Sequence, residues 1–399
     1  MILALALSAV LAAEPEWLVR IHTVPPEIGA SLLLKVIARD LPKRAHLAEE
    51  AFRLGGQARM RWPEFAAVSP DSMEARRVEA SFEQLDALNL QARAVEAMFG
   101  IQPSRALEMA LEMAIPSPPQ ADCGTATLPD LGRFYGVVLQ MGMRGFPLRM
   151  RAEGRHMDYM LRVLGASATA AHLAAAAPMV ALYDGPEEEK TALVSALAFS
   201  MRAARASPRE ASFLDRIRDA VARLAGLPGG DALAEAMRAL EASVVEAEPC
   251  PDEAGFLLWR SGTGAALREA AASFRRSRGG DERELQFAGL LGRIESWHGE
   301  RETPAMAHFH MKALLLRDLL EMAPTEGSLA AVISVYVRFL AASPAKTESP
   351  AEWVVHFRRL LLPLAPLGRR SVDLAVAEIR RNGDALMNLL ADAHTGGYF

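Results

Sequence analysis

The chain has 399 residues, with 44 Lys and Arg against 49 Asp and Glu and a net charge of −5. Both signs are interspersed, so nothing in the charge favours a polyanion and no nucleic-acid partner is expected. With 51% hydrophobic and 23% charged residues, the composition is that of a globular chain with a sizeable core, not of a disordered or membrane-embedded one.

The first element is an apolar run, residues 1–13, that ends in small residues ahead of Glu14 and Pro15. It is shorter than the roughly 20 residues a bilayer span needs, but it matches the core of a signal peptide. Cleavage is expected after Ala12 or Ala13, with export to the periplasm or the exterior, although no Lys or Arg precedes the run. Residues 14–399 are then expected to form the mature α-helical domain, without a membrane span. The nearest candidate for a span, Ala166 to Leu182, is mostly alanine and contains His172 and Pro178.

From there the apolar spacing is helical nearly throughout. Helix starts are expected near 27, 43, 82, 103, 129, 153, 167, 186, 208, 231, 265, 281, 304, 328, 350 and 371. The duplicated Ala106-Leu-Glu-Met-Ala-Leu-Glu-Met113 reads as one helix. Glu187, Glu188 and Glu189 fall in a first turn, where the helix dipole favours carboxylates. Leu214, Ile217, Val221 and Leu224 mark an amphipathic face, as do Leu329, Val332, Ile333, Tyr336, Phe339 and Leu340, and again Trp353, Phe357, Leu360, Leu361 and Leu364. Ser207-Pro208-Arg209-Glu210 and Ser349-Pro350-Ala351-Glu352 both predict capping boxes, with Ser as cap, Pro in the first turn and Glu reaching back. The arginine groups at 275–278, 369–370 and 380–381 read as solvated helix ends. No β-branched alternation bounded by tight-turn dipeptides occurs. The class is therefore all-α, an array of antiparallel helix hairpins packed as a solenoid-like or bundled single unit, although the tetratricopeptide and ankyrin signatures are missing.

Two non-periodic stretches, 115–128 and 247–264, divide the chain into sub-blocks 14–115, 128–246 and 265–399. Each stretch carries one of the two cysteines, Cys123 and Cys250. In an exported chain a loop pair of this kind is expected to form a disulfide tying the dividers together.

Chemistry is sparse along the chain. His298, His308 and His310 are the best-grouped metal-ligand types, but residues two apart on a helix diverge by about 200°, so His308 and His310 are not expected to chelate one ion. No metal and no cofactor is expected. Ser261-Gly262-Thr263-Gly264 has glycines that suit a phosphate turn, but no preceding strand and no following Gly-Lys-Ser/Thr, so it reads as a helix connector. Met157, Met160, Phe309 and Met311 read as core. No Gly-x-Ser-x-Gly elbow is present.

Residues 105–135, with Pro116-Ser-Pro-Pro, Cys123 and Phe134-Tyr135, and residues 308–353, with His310-Met-Lys312, Tyr336-Val-Arg-Phe-Leu340 and Glu348-Ser-Pro-Ala-Glu-Trp353, resemble a family of secreted, α-helical, uncharacterised proteins of soil bacteria. The resemblance covers about a fifth of the chain. It implies a helical fold and export, and no activity. Two functions are compatible with these features. The first is an exported helical interaction or scaffold protein without catalytic activity, engaging a protein or peptide partner. The second is an exported enzyme on a helical toroid or bundle, whose catalytic residues converge from distant helices. A pocket with converging His, Tyr and Arg would favour the second.

Overall fold

The computed structural model describes residues 16–39, 44–65, 70–125, 127–246, 257–259, 262–277, 282–301 and 303–398. The leader 1–13 and Cys250 lie outside the described residues, so the expected cleavage and the expected disulfide rest on the sequence. The class is all-α: the structure is 76% helical, with almost no strand among the described residues.

A 3-10 segment, Glu16–Thr23, precedes α1 (Pro26–Arg39), α2 (Ala45–Gly55), α3 (Met73–Ser81), α4 (Ala87–Phe99) and α5 (Pro103–Glu112). The central block holds α6 (Gly132–Gln140), α7 (Leu148–Ala152), α8 (Arg155–Gly165), α9 (Ala170–Leu182), α10 (Glu187–Ala203), α11 (Ala211–Leu224) and α12 (Gly230–Glu246). The last block holds α13 (Gly262–Arg276), α14 (Arg283–Ser296), α15 (Ala305–Met322), α16 (Glu326–Ala342), α17 (Ala345–Glu348), α18 (Pro350–Leu361), α19 (Arg369–Asn382) and α20 (Ala385–Thr395). One two-residue strand pair, Glu64–Phe65 against Leu128–Pro129, ties the first block to the second.

Packing is not a run of chain-neighbour hairpins. Although α1 packs on α2 and α11 on α12, α2 also packs on α4, α9 on α11, α10 on α12 and α16 on α19, each across intervening helices. The first block touches both of the others. α4 lies on α6, while α1 and α3 lie on α18, and the Glu16–Thr23 segment lies on α20. The buried side chains form one continuous core. No described helix is long and apolar enough to cross a membrane.

The periodic faces are where the spacing puts them. In α11, Leu214, Ile217, Val221 and Leu224 are buried, joined by Phe213 and Ala220. Differences arise where polar residues carry the start signal. The start expected near 82 belongs to α4, where Asp86 caps at 2.8 Å from the Asn89 amide, and α3, capped by Ser72, has no counterpart among the expected starts. Arg369 and Arg370 open α19 rather than close it; charge pairs with Asp373 and Glu326 support them there.

α18 positions the candidate site. Every residue from Pro350 to Phe357 is buried, because α1, α3, α15 and α16 pack around this helix. Trp353 and Phe357 stack within it at 5.4 Å, and the Trp353 indole donates to the Leu340 carbonyl at 3.0 Å. A helix so enclosed normally carries apolar residues all round. This one also carries Glu352, His356 and Arg359, and burying those groups requires partners.

Candidate active site

The two Ser-Pro-x-Glu segments diverge in the folded chain. Glu210 closes back on its cap as expected, accepting from the Ser207 amide at 3.0 Å. At α18, Ser349 makes no side-chain capping bond. Glu352 instead turns inward, where His310 of α15 donates from Nε2 to its Oε2 at 2.5 Å. The other nitrogen of the same imidazole, Nδ1, lies 2.8 Å from Nε2 of His356. Glu352 and His356 stand four apart on α18 and so share a face, which faces His310.

Glu352, His310 and His356 are 8%, 1% and 1% exposed, which makes this a buried chain of three ionisable groups. One proton arrangement satisfies it best. His356 donates Nε2–H to His310 Nδ1, and His310 donates Nε2–H to the Glu352 carboxylate. The reverse arrangement would leave an N–H on His356 Nδ1, which has no partner, and a buried donor without an acceptor costs more than a bare ring nitrogen. The surroundings agree. Burial holds the His356 pKa well below the usual histidine value, with the neighbouring His310 and the guanidinium groups of Arg359, Arg76 and Arg317 acting in the same direction. Arg76 and Arg359 share the Glu79 carboxylate of α3, the Tyr336 hydroxyl donates to the His356 carbonyl at 3.2 Å, and Phe309 meets the His356 ring edge-on at 5.1 Å. Burial pushes the Tyr336 hydroxyl pKa upward, so it stays protonated.

Glu352 is the end of this chain that meets solvent. It lines a cavity of about 250 Å³ together with Glu27, Arg59, Glu64, Arg77 and Glu348. Glu27, in the first turn of α1, is 2% exposed, and its Oε2 has no hydrogen-bond partner. Burial raises its pKa, opposed by the backbone amides of Glu27 and Arg59 and by the Arg59 charge. The cavity therefore has two buried carboxyl groups with different support, one backed by imidazole and one held by main-chain amides.

The residues singled out in the sequence do not assemble with one another. His298 is exposed, and His308, half-buried, lies 3.3 Å from the Trp297 carbonyl; both border a neighbouring cavity of about 380 Å³ on the far side of Glu348. Only His310 enters the relay, and its partners Glu352 and His356 were not among the candidates. The one local signal was the Glu-x-x-x-His spacing of Glu352 and His356. Among the described residues no group of three or more His, Cys, Asp or Glu is placed to hold a metal. At the glycine turn, Gly262 and Thr263 open α13 and the Thr263 amide is bonded to the Glu300 carboxylate, so the protein supplies its own anion at that helix start. A second pair, which no spacing along the chain announces, joins the buried His156 to the half-buried Glu189 at 3.0 Å, and Glu189 also accepts from the Tyr183 hydroxyl.

An all-α protein with a buried histidine–carboxylate relay opening on a small charged pocket is the class that fold and site define. No protein-family model matches the chain, and neither a curated protein nor a solved structure is similar to it. The resemblance to secreted helical proteins of soil bacteria gains no support from these comparisons.

Proposed function

We propose that the protein is an acid–base enzyme acting on a small polar substrate bound in the 250 Å³ cavity, with Glu352 as the group that takes up and returns the proton. The observation that carries this reading is the relay itself. A carboxylate at a pocket wall, fixed by a buried imidazole that is fixed in turn by a second, is the arrangement of base and orienting groups that proton-transfer catalysis uses. His310 orients Glu352 and spreads the charge change over the ring. His356, kept neutral, holds His310 in one tautomer. Export, expected from the leader, belongs to the same proposal, and N-terminal sequencing of protein secreted by its own host tests it.

A screen of ester, amide and glycoside substrates between pH 5 and 9 tests the catalytic reading, with wild type and Glu352→Gln run in parallel. Turnover by wild type is expected to fall by about 10²–10⁴ in Glu352→Gln, the usual contribution of a positioned general base. Gln still accepts from His310, so the variant should keep its helical circular dichroism. Equal turnover in the two proteins would end the proposal.

A scaffold protein engaging a protein or peptide partner remains the second reading. Exposed Phe82, Leu148, Phe199 and Val245 favour it by offering apolar anchors.

A further inference from the structure

Three carboxylates of the pocket are buried or half-buried, and their hydrogen bonding differs. Glu64 accepts from the Thr127 hydroxyl at 2.7 Å, and Glu352 accepts from His310. Glu27 alone of the three retains a buried oxygen without a donor. A buried acceptor left bare costs free energy that an incoming N–H donor recovers. At the mouth of the same pocket Arg59 and Arg77 are exposed and their guanidinium groups make no side-chain hydrogen bond or close ion pair among the described residues, although the Arg59 charge reaches Glu27, and the exposed Glu348 lines the same mouth. The pocket is thus negative and acceptor-rich at depth and carries two open cationic forks at its rim. Its 250 Å³ is below the range of about 300–1,000 Å³ typical of drug-sized ligands, which limits the occupant to a small molecule.

We propose that the substrate is a zwitterion of amino-acid or dipeptide size, its ammonium group held by Glu27 at depth and its carboxylate by Arg59 and Arg77 at the rim. This rests on the reading of the pocket as the substrate site, and it adds the chemical class of that substrate. Glu27 lines the cavity while its Oε2 is turned away from solvent, so a rotation of the carboxyl toward the ligand lets the ammonium supply the donor that this oxygen lacks, and the ammonium charge suits a site where burial disfavours the ionised carboxyl. Planar guanidinium groups match a carboxylate by paired hydrogen bonds. A neutral ligand would leave the rim charges unused, and a simple anion would meet Glu27 and Glu352.

Calorimetry on the full-length protein with three probes tests it: L-alanyl-L-alanine, its N-acetyl derivative and its C-terminal amide. The free dipeptide is expected to bind at least about tenfold more tightly than either blocked form, the loss expected for one charge-assisted contact. Glu27→Gln should erase the preference for the free amine while leaving the preference for the free carboxylate. The double variant Arg59→Gln, Arg77→Gln should do the opposite, and because both side chains are exposed it serves as the deciding variant should Glu27→Gln fail to fold. Binding of the acetylated dipeptide as tightly as the free one, binding of none of the probes at millimolar concentration, or unchanged discrimination in the arginine variant overturns the inference. Catalysis is separable from this. Tight, discriminating binding without turnover in any protein leaves the zwitterion site standing and removes the catalytic reading. Turnover of substrates that lack an ammonium group does the reverse.

Discussion

At the scale of single residues, the outcome of a local signal is set by what lies across the helix. Glu210 and Glu352 occupy the same position in the same Ser-Pro-x-Glu pattern, and one caps while the other pairs with His310. The difference comes from 42 residues away along the chain, where α15 presents an imidazole, and no reading of residues 349–352 contains that information. His310 was legible as a residue of interest, but its role was not. Histidine burial also gives a measurable pH dependence. His172 donates from Nε2 to the Pro116 carbonyl at 2.8 Å and has the Thr169 hydroxyl 3.0 Å from Nδ1, an arrangement of the neutral ring. Burial lowers its pKa, as it lowers that of His356, from the ordinary 6.5. Below that value the unfolded chain binds protons that the folded chain does not, so folding stability falls as pH drops through about 6.5. Asp86, pushed up to about 6 by burial, acts the other way, but only as pH falls from about 6 toward the ordinary carboxylate range. The urea midpoint is therefore expected to decrease between pH 7.5 and 6.3, and to decrease less in His172→Gln. A midpoint that rises over this interval contradicts the assignment of neutral rings.

At the scale of elements, the long amphipathic helices were readable because one apolar stripe decides them, as in α11 and α16. α3 is not, because it has only two buried residues, Ala80 and Ser81, and is held against α18 by the pair of Glu79 with Arg359, Arg76 sharing the same carboxylate from within α3. Close approach between helices leaves its own mark at Gly55, where α2 meets α4. A Cβ built on Gly55 would lie 2.8 Å from the Leu90 Cβ and 3.3 Å from the Gln91 amide nitrogen. Alanine is the better helix former by about 1 kcal/mol, yet the clash involves atoms fixed to the backbone and cannot be relieved by a side-chain rotation. Gly55→Ala is expected to destabilise the protein by about 1–3 kcal/mol, the usual cost of overpacking, read as a lower urea midpoint at unchanged slope. A neutral or stabilising effect would mean that α2 and α4 can separate freely.

At the scale of the whole molecule, the divisions near 115–128 and 247–264 mark changes of block, but nothing along the chain indicates that the first block lies against both others. That arrangement is made by contacts between residues far apart in the chain, such as Arg358 with Glu83 at 2.9 Å and Arg268 with Asp71 at 3.0 Å. A cross-link between Cys123 and Cys250 would act at the same scale. Closing a loop of that length removes unfolded-state entropy worth up to about 4–5 kcal/mol in the chain-entropy treatment. The double Cys→Ser variant is expected to unfold at lower denaturant than oxidised wild type with its helical content intact. Thiol titration of unreduced wild type that finds two reactive cysteines would rule the cross-link out.

The Glu16–Thr23 segment packs on α20 through the pairing of Arg20 with Asp392, and just beyond α20 the Tyr398 ring meets Trp17 edge-on at 5.5 Å and lies under Arg39 of α1 at 4.9 Å. A ribosome builds Trp17 hundreds of residues before it builds Tyr398. Until α20 has been made, the apolar face of Trp17, Leu18 and Ile21 therefore lacks the contact that α20 supplies. Folding of this chain cannot finish vectorially. It ends with the docking of α20 on the Glu16–Thr23 segment, a contact between residues far apart in the chain that forms only after both have been synthesised.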